Sequence, residues 1–250
     1  MNDLECAVAL ADGAGAVLQR VRDEAALQGI EGKELKDLGD RAAQDYLASE
    51  LARLRPGDAV LSEEAEDDKS RVSKDRVWII DPLDGTREYS EHRDDWAVHV
   101  ALWEVGELTA AAVALPGLGN VLDSGPASKS TQHTPEQAIR IAVSRTRAPA
   151  VVEHLAQHLE ARLLPMGSAG YKICAVIRGE ADAYVHAGGQ YEWDSAAPVA
   201  IALARGLHAS RIDGTPLRYN QTDPYLPDLV VCRPELAGII LETIALAATS

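Results

Sequence analysis

Two aspartates, Asp81 and Asp84, carry the clearest chemical signal in the chain. They lie in the segment WIIDPLDGTREYS, where an apolar run leads directly into Asp-Pro-Leu-Asp-Gly-Thr. Pro82 has a fixed φ and no N–H, so it disfavours both a strand ladder and a regular helix, while Gly85 permits unusual backbone angles. We interpret the segment as a strand end that aims both carboxylates, and the Leu83 carbonyl, at one point. Such hard oxygen ligands suit Mg²⁺.

Two further acidic segments lie on either side of this one. Upstream, a short apolar run ends in Glu63 and Glu64; downstream, Asp194 follows a Gly-Gly loop in the segment GGQYEWDSAAP, where a helix is expected to begin. Each segment has an ordinary structural interpretation if taken alone. A Glu pair is usually a solvated face, an Asp before a helix is usually an N-cap, and DxxDGT can be a turn with Asx caps.

Taken together and in this order, the three segments resemble the inositol monophosphatase superfamily of Mg²⁺-dependent, lithium-sensitive phosphatases. The signatures that carry the resemblance are W-x-[IV]-D-P-[IL]-D-G-T and W-D-x-[AS]-[AG], with a Glu-Glu element before them, and it extends over nearly the whole chain. It implies two or three Mg²⁺ ions held by four carboxylates and one backbone carbonyl, with one carboxylate bridging two ions. The four carboxylates are those of Glu63, Asp81, Asp84 and Asp194, and the carbonyl is that of Leu83. Asp81 is the carboxylate that would bridge two ions.

The resemblance also implies catalytic roles. Gly85 and Thr86 resemble the backbone donors to the scissile phosphate, and the Thr86 hydroxyl resembles the group that aligns the attacking water. Asp40 stands at the spacing of the acid that pairs with this threonine, and Glu63 is counted with these two as catalytic. Relatives commonly carry Thr before that Asp where this chain has Gly39, so Asp37 is a competing candidate.

The segments GGQYEWDSAAP and DGTPLRYN resemble the bacterial 3′(2′),5′-bisphosphate nucleotidase branch of the superfamily. This implies removal of the 3′-phosphate from adenosine 3′,5′-bisphosphate (PAP, or its phosphosulfate PAPS) in sulfate assimilation. The expected substrate contacts, beyond Gly85, Thr86 and Asp194, are Arg145, Arg147, Ser168, Lys172 and His186. The alternative for each basic residue is an ordinary surface position, and for His186 a half-buried edge position.

Other functions stay open at this point. Inositol monophosphatase or fructose bisphosphatase activity, with broad sugar-phosphate specificity, is the runner-up. A catalytically silent metal-binding protein is a third possibility from another class. Hydrolysis through an aspartyl phosphate on Asp81 is a mechanistic alternative, although such chemistry usually uses a DxD-type arrangement.

Composition narrows the class of partner. The chain has 250 residues, 46% of them hydrophobic, and a net charge of −15. This charge argues against nucleic acid and anionic membranes as partners, and bound Mg²⁺ would reverse it locally for a phosphate ester. No apolar run is long enough for a membrane span, and the N-terminus lacks the basic start of a signal peptide. Three dispersed cysteines predict free thiols and the cytoplasm. A homodimer is possible.

Periodicity predicts the elements that must position these residues. Helices are expected over the first 30 residues and from Asp40 to Arg53, and strands over Val77–Ile80, Trp96–Leu102, Glu107–Leu115 and Gly119–Asp123. Beyond a polar boundary at Ser124–Gln137, strands alternate with helices to the end of the chain. This predicts an α+β half over residues 1–130, with an antiparallel sheet and most metal ligands. An α/β half over residues 131–250 would supply Asp194 and the substrate contacts. The resemblance names the whole as a layered α/β/α/β/α fold.

Overall fold

The computed structural model describes residues 1–126, 138–146 and 148–247. In these ranges ten strands form two sheets of five, and helices lie on both sides of each sheet. The order of layers is a helix pair, the first sheet, a second helix pair, the second sheet and a third helix pair. The predicted α/β/α/β/α layering is therefore confirmed. None of the described helices combines the length and apolar character needed to cross a bilayer.

The first helix pair covers one face of the first sheet. α1 (Asp3–Gln28) starts at a capping box between Asn2 and Glu5 and stops at Gly29, which adopts the left-handed conformation. α2 (Gly32–Leu54) begins eight residues before the predicted start. Gly39 lies within this helix, and a Cβ there would lie 2.7 Å from the Tyr89 ring, so the glycine allows the helix to pack closely against Tyr89.

The first sheet has the order β1-β2-β3-β4-β5. Its strands are β1 (Ala59–Ser62), β2 (Arg76–Asp84), β3 (Ala97–Glu104), β4 (Glu107–Leu115) and β5 (Asn120–Asp123). The predicted antiparallel pairing is correct except for β1, which runs parallel to β2. Along β2, Trp78 and Ile80 pack against α1 and α2, whereas Val77 and Ile79 face the middle helix pair. This is the period-two alternation of a strand buried on both faces.

The second sheet has the order β7-β6-β8-β10-β9. Its strands are β6 (Arg140–Ser144), β7 (Arg162–Met166), β8 (Ala183–Tyr191), β9 (His208–Ser210) and β10 (Tyr225–Cys232). β9 was not predicted. β8 continues through Gly188 and Gly189, which were predicted to form a loop, because β10 pairs with it as far as Tyr191.

The remaining helices complete the layers. They are α3 (Thr86–Ser90), α4 (Ala150–His158), α5 (Ala169–Ile177), α6 (Ala196–Ala204) and α7 (Ala237–Ala247). α5 and α6 lie between the sheets, and α4 and α7 cover the outer face of the second sheet. The predicted boundary between halves, at residues 130 and 131, lies outside the described residues.

Candidate active site

Asp81 and Asp84 lie at the end of β2, inside the strand rather than after it. The pairing of β2 with β3 is regular up to Asp81, opposite His99, and resumes at Asp84, opposite Ala97. Pro82 and Leu83 fall in the irregular step between them, where a proline costs the ladder no hydrogen bond. The strand was predicted to end at Ile80 but continues to Asp84 through this irregularity, which brings two carboxylates to one end of the sheet.

The two buried carboxylates are held very differently. Asp84 Oδ2 accepts hydrogen bonds from the Ser168 hydroxyl and the Gly170 N–H, both at 2.6 Å, and Oδ1 accepts a longer one of 3.2 Å from the Ala169 N–H. Asp81 Oδ1 accepts one bond of 3.0 Å, from the Leu83 N–H, and the buried Asp81 Oδ2 has no partner.

The pKa values of the two aspartates diverge accordingly. Burial raises the pKa of Asp81 well above its ordinary value, and the charges of Glu63, Asp84 and Asp194 add to the rise. Burial also opposes ionisation of Asp84, but His99, Ser168 and the Gly170 N–H more than offset it, so the pKa of Asp84 is lowered. Asp84 is therefore ionised, whereas Asp81 lacks the positive charge that would stabilise its anion.

Glu63 and Asp194 extend this cluster from two directions. Glu63 follows β1, and its pKa rises to about 7 through desolvation and then through the charges of Asp194, Asp84 and Glu64. Asp194 ends a short 3-10 helix before α6 and accepts a 2.6 Å bond from the Tyr191 N–H. Burial and the charge of Asp84 raise the pKa of Asp194 to about 6.

This donor set fits a divalent cation. Three of the four carboxylates, those of Glu63, Asp81 and Asp194, have raised pKa values, in part because of the neighbouring negative charges, and Asp81 Oδ2 has no hydrogen-bond donor. Positive charge would therefore stabilise this cluster. One oxygen each of Asp81 and Asp84 and a ring nitrogen of His99 lie within 4.8 Å of one another. Hard oxygen donors of this kind are those that Mg²⁺ prefers.

His99 is a residue of this site that the sequence reading missed. Its side chain is fully buried on β3, with Nδ1 3.0 Å from the Trp193 carbonyl and Nε2 3.3 Å from Asp84 Oδ2. Burial alone would lower the pKa of His99, but Asp84 more than reverses this, so the pKa is raised. In the sequence His99 is simply one residue of a strand with alternating polarity. Only the pairing of β3 with β2, which brings His99 beside Asp84, identifies it as part of the site.

Asp40 and Thr86 lie beside the carboxylates. Thr86 is the first residue of α3, so its backbone N–H has no partner within the helix. Gly85 before it has φ of +90°, and a Cβ there would lie 2.9 Å from Ser168 Cβ. Asp40 is buried on α2, where desolvation and then Glu64 raise its pKa to about 6. No hydrogen bond joins it to Thr86 in the described structure. The competing Asp37 is at the surface in a 2.6 Å pair with Lys33.

The predicted substrate contacts beyond Gly85, Thr86 and Asp194 lie in different surroundings. Ser168 lies at the site, but its hydroxyl is engaged with Asp84, as described above, and also caps α5 by accepting from the Tyr171 N–H. Arg145 forms ion pairs of 2.6 Å with Glu88 and 2.9 Å with Glu91. Arg147 lies outside the described residues. Lys172 and His186 line one cleft of about 610 Å³.

Lys172 is the unusual cation of this cleft. Its side chain is buried, its Nζ donates to the carbonyls of Gly167 (2.8 Å) and Ser168 (2.6 Å), and it lies 5.3 Å from the centre of the Tyr184 ring. Among the described residues no carboxylate is within ion-pair distance of it. Burial lowers its pKa, although Asp84 and other acids at longer range oppose the shift. Its hydrogen bonds are to carbonyl oxygens alone, so among the described residues its positive charge is not paired with an anion.

His186 is half-buried on β8, a central strand of the second sheet, so the alternative of an edge position does not apply to it. Its Nε2 is 2.9 Å from the Gly189 carbonyl, and burial lowers its pKa. The opposite wall of the cleft is the start of α4 at Pro149, Ala150 and Val151. The cleft thus combines an apolar wall with a cation and a free helix N-terminus.

Comparison with known proteins identifies relatives along the whole chain. A sequence model of the inositol monophosphatase family matches residues 2–245. A protein of Mycobacterium tuberculosis named 3′-phosphoadenosine 5′-phosphate phosphatase is 54% identical over 244 residues, which is 93% of this chain and 89% of the relative. The 3′(2′),5′-bisphosphate nucleotidase CysQ of Escherichia coli K12 is 32% identical over 75% of this chain and 80% of its own length.

Among solved structures, that of CysQ from Bacteroides thetaiotaomicron has the same fold. It superposes with a TM-score of 0.77 and 24% sequence identity, covering 92% of this chain and 97% of that protein.

Proposed function

The chain belongs to the inositol monophosphatase family, and from this premise we propose that it removes the 3′-phosphate of adenosine 3′,5′-bisphosphate to give AMP, with Mg²⁺ as cofactor. The observation that carries the proposal is the buried, unpaired Lys172 in a cleft beside the carboxylate cluster. The 54% identity to a relative named for this reaction agrees with it.

The carboxylate cluster supports the catalytic half of the proposal. Glu63, Asp81, Asp84 and Asp194 would hold the ions, with the Leu83 carbonyl as a further ligand. When bound, the ions supply the positive charge that attracts the phosphate, activates water and offsets charge on the leaving oxygen. The protein contributes by positioning the phosphate and the attacking water. Thr86 and Gly85 present backbone N–H groups to the phosphate, and the Thr86 hydroxyl aligns the attacking water.

Asp40 is the residue that we expect to exchange a proton beside Thr86. It is buried near Glu64, lies on the helix that packs on α3, and has a pKa of about 6, so near neutral pH it can take up and release a proton. We propose that it holds Thr86 in the orientation that accepts a hydrogen bond from water, which requires a small approach of the two side chains when substrate binds.

The cleft supports the choice of substrate. A second phosphate needs a cation away from the carboxylates, and Lys172 meets this requirement with its charge unpaired. Ala169 links the two regions, because it lines the cleft and donates its N–H to Asp84. The first residues of α4, whose N–H groups have no partner within the helix, also line this cleft. No carboxylate lines this cleft in the described part of the chain, so a polyol such as inositol would find no acidic partner there.

Arg145 is the weaker candidate for the second phosphate. Its two glutamate partners already neutralise it, and a phosphate would have to displace them. We therefore assign the second phosphate to Lys172 and keep Arg145 as the competitor in the test. Lithium sensitivity, a homodimer, a role in sulfate assimilation and a cytoplasmic location stay predictions. The last agrees with three buried free cysteines.

The first experiment is phosphate release with Mg²⁺ from adenosine 3′,5′-bisphosphate, inositol 1-phosphate and fructose 1,6-bisphosphate. A preference of about a hundredfold in kcat/KM for the nucleotide, about 2.7 kcal/mol of discrimination, is expected. Comparable rates on all three would replace the proposal by a broad sugar-phosphate phosphatase.

A matched pair of variants tests the cleft. Lys172→Met should reduce the ratio of kcat/KM for adenosine 3′,5′-bisphosphate over adenosine 3′-phosphate by about tenfold or more, because it removes one charge-assisted contact. Arg145→Ala should leave that ratio within about twofold. If Arg145→Ala collapses the ratio and Lys172→Met does not, the second phosphate binds at Arg145.

A further inference from the structure

Arg71 is a buried arginine away from the carboxylate cluster. Its side chain is only 2% exposed. It grips Asp67 with Nε (3.1 Å) and Nη2 (2.8 Å), and it donates from Nη1 to Asn220 Oδ1 (2.7 Å) and from Nη2 to the Gln221 carbonyl (2.9 Å). The arginine thus joins the segment after β1 to the turn before β10.

That turn is gripped from its other side by Glu192. The Glu192 carboxylate is 1% exposed, and its two oxygens accept from the N–H groups of Asn220 (2.6 Å) and Gln221 (2.8 Å). Asn220 has φ of +59°, a left-handed conformation that Asn tolerates. The glutamate and the arginine therefore hold one turn between them, and we call Arg71, Asn220 and Glu192 the clasp.

The ends of the clasp lie close in sequence to the two metal ligands that come from different parts of the fold. Arg71 is in the connection between β1 and β2 that begins with Glu63, and Glu192 is in the same 3-10 helix as Asp194. In the described structure, neither Arg71 nor Glu192 forms a side-chain hydrogen bond with Glu63 or Asp194. The clasp can therefore affect the site only by fixing the positions of the segments that carry these two acids.

Apart from those of Arg71, few hydrogen bonds tie the connection from Glu63 to Lys74 to distant parts of the fold. Its other hydrogen bonds in the described structure, apart from those of Arg71, reach at most four residues along the chain. Arg71 supplies the two long-range ones. A flexible segment would present Glu63 over a range of positions, and ordering it on ion binding would cost conformational entropy.

We propose that the clasp is a positioning device that sets Glu63 against Asp194 and thereby the affinity for Mg²⁺. The proposal rests on the proposed function only through the metal, so its test is metal binding without substrate. Calorimetric titration of Mg²⁺ into the whole protein would compare the wild type with Arg71→Met and Asn220→Gly. The glycine keeps the left-handed turn and removes only the acceptor for Arg71.

Both variants should weaken Mg²⁺ binding by about tenfold or more, in the range found when outer partners of metal ligands are lost. The double variant should bind Mg²⁺ little more weakly than Arg71→Met alone, because the contact that Asn220→Gly removes is already lost in Arg71→Met. Arg76→Met is the control: Arg76 also pairs with several acids, Asp58 and Glu104 among them, but lies at the far end of β2.

The control should lower the melting temperature without changing Mg²⁺ affinity. If Arg71→Met and Asn220→Gly also lower only the melting temperature, with Mg²⁺ affinity within about twofold of the wild type, the clasp is merely structural and the proposal is overturned. A protein that binds Mg²⁺ normally but does not hydrolyse the nucleotide would refute the proposed function and leave the clasp testable.

Discussion

At the residue scale, the site contains two neighbouring aspartates prepared for different states. Asp84 has its donors supplied by the protein, from Ser168, Gly170 and the nearby His99, and it is ionised before any ion arrives. Asp81 has one backbone donor and one orphan oxygen. We therefore expect a bound cation to stabilise the Asp81 anion, and the protonation of Asp81 to change most when metal binds.

The raised pKa values predict how stability depends on pH without metal. Glu63 and Asp194 have folded pKa values of about 7 and about 6, and Asp81 is also raised, against ordinary values of 4.5 and 3.8. Between about pH 4.5 and 7 the folded protein holds more protons than the unfolded chain, so stability falls as pH rises. With EDTA present, the melting temperature should drop by about 5 °C or more from pH 5 to pH 7.5.

Asp81→Asn is the informative variant for this measurement. It removes one charge from the cluster, so the metal-free protein should melt higher than the wild type at pH 7.5 and show a flatter pH profile. A wild-type profile that rises over this interval would mean that the acids are not mutually repelling.

At the element scale, the start of α5 is fitted against the end of β2 and the middle of β3. A Cβ at Gly170 would lie 1.9 Å from His99 Nε2 and 2.9 Å from Asp84 Oδ2. The absence of a side chain is what allows the Gly170 N–H to reach Asp84. Helix, strand end and histidine are therefore packed as one unit, and the sequence alone marks Gly170 only as a poor helix former.

Gly170→Ala should push His99 and Asp84 apart. We expect a loss of about 1–3 kcal/mol in the free energy of unfolding from overpacking, and a fall of about a hundredfold in kcat/KM. Chemical denaturation and steady-state kinetics measure the two. Gly238→Ala in α7 is the matched control, since a Cβ there meets nothing within 4 Å and the helix should gain slightly in stability. Normal activity in Gly170→Ala would show that the contact can relax.

At the scale of the whole molecule, the cluster draws its carboxylates from the first sheet and from the helix layer beside it. Asp81 and Asp84 lie in β2, Glu63 directly follows β1, and Asp194 precedes α6 in the layer between the sheets. An ion bound to all four carboxylates would connect these parts of the fold. It would bind the folded protein and not the unfolded chain. Binding should therefore stabilise the entire fold by mass action.

Mg²⁺ at about a hundred times its dissociation constant should add about 2.7 kcal/mol, or roughly 5–10 °C in melting temperature. Asp194→Asn should lose most of this shift. Asp12→Asn, an equal change of charge at an exposed position on α1, should keep it. An undiminished shift in Asp194→Asn would remove Asp194 from the ligand set.

The sequence by itself determined the local part of this protein. The carboxylates at the end of β2, Gly85 and Thr86 after them, and the acids at Glu63 and Asp194 could be recognised because each depends on a few neighbouring residues and a strand or helix boundary. The layered fold followed from the resemblance that these motifs carry. Asp40 is buried on α2, which begins earlier than predicted, and its pairing with Thr86 stays a prediction.

Only the tertiary structure decided how these residues are held and charged. His99 reaches Asp84 across two strands, Ser168 and Gly170 reach it from α5, and Arg71 meets Asn220 149 positions further along the chain. Arg145 and Lys172 were both expected from the sequence to contact substrate, but Arg145 is paired with two glutamates, whereas no described carboxylate pairs with Lys172. Periodicity and spacing report only short-range geometry. Burial, hydrogen bonding and pKa depend on which distant residues the packed layers bring together.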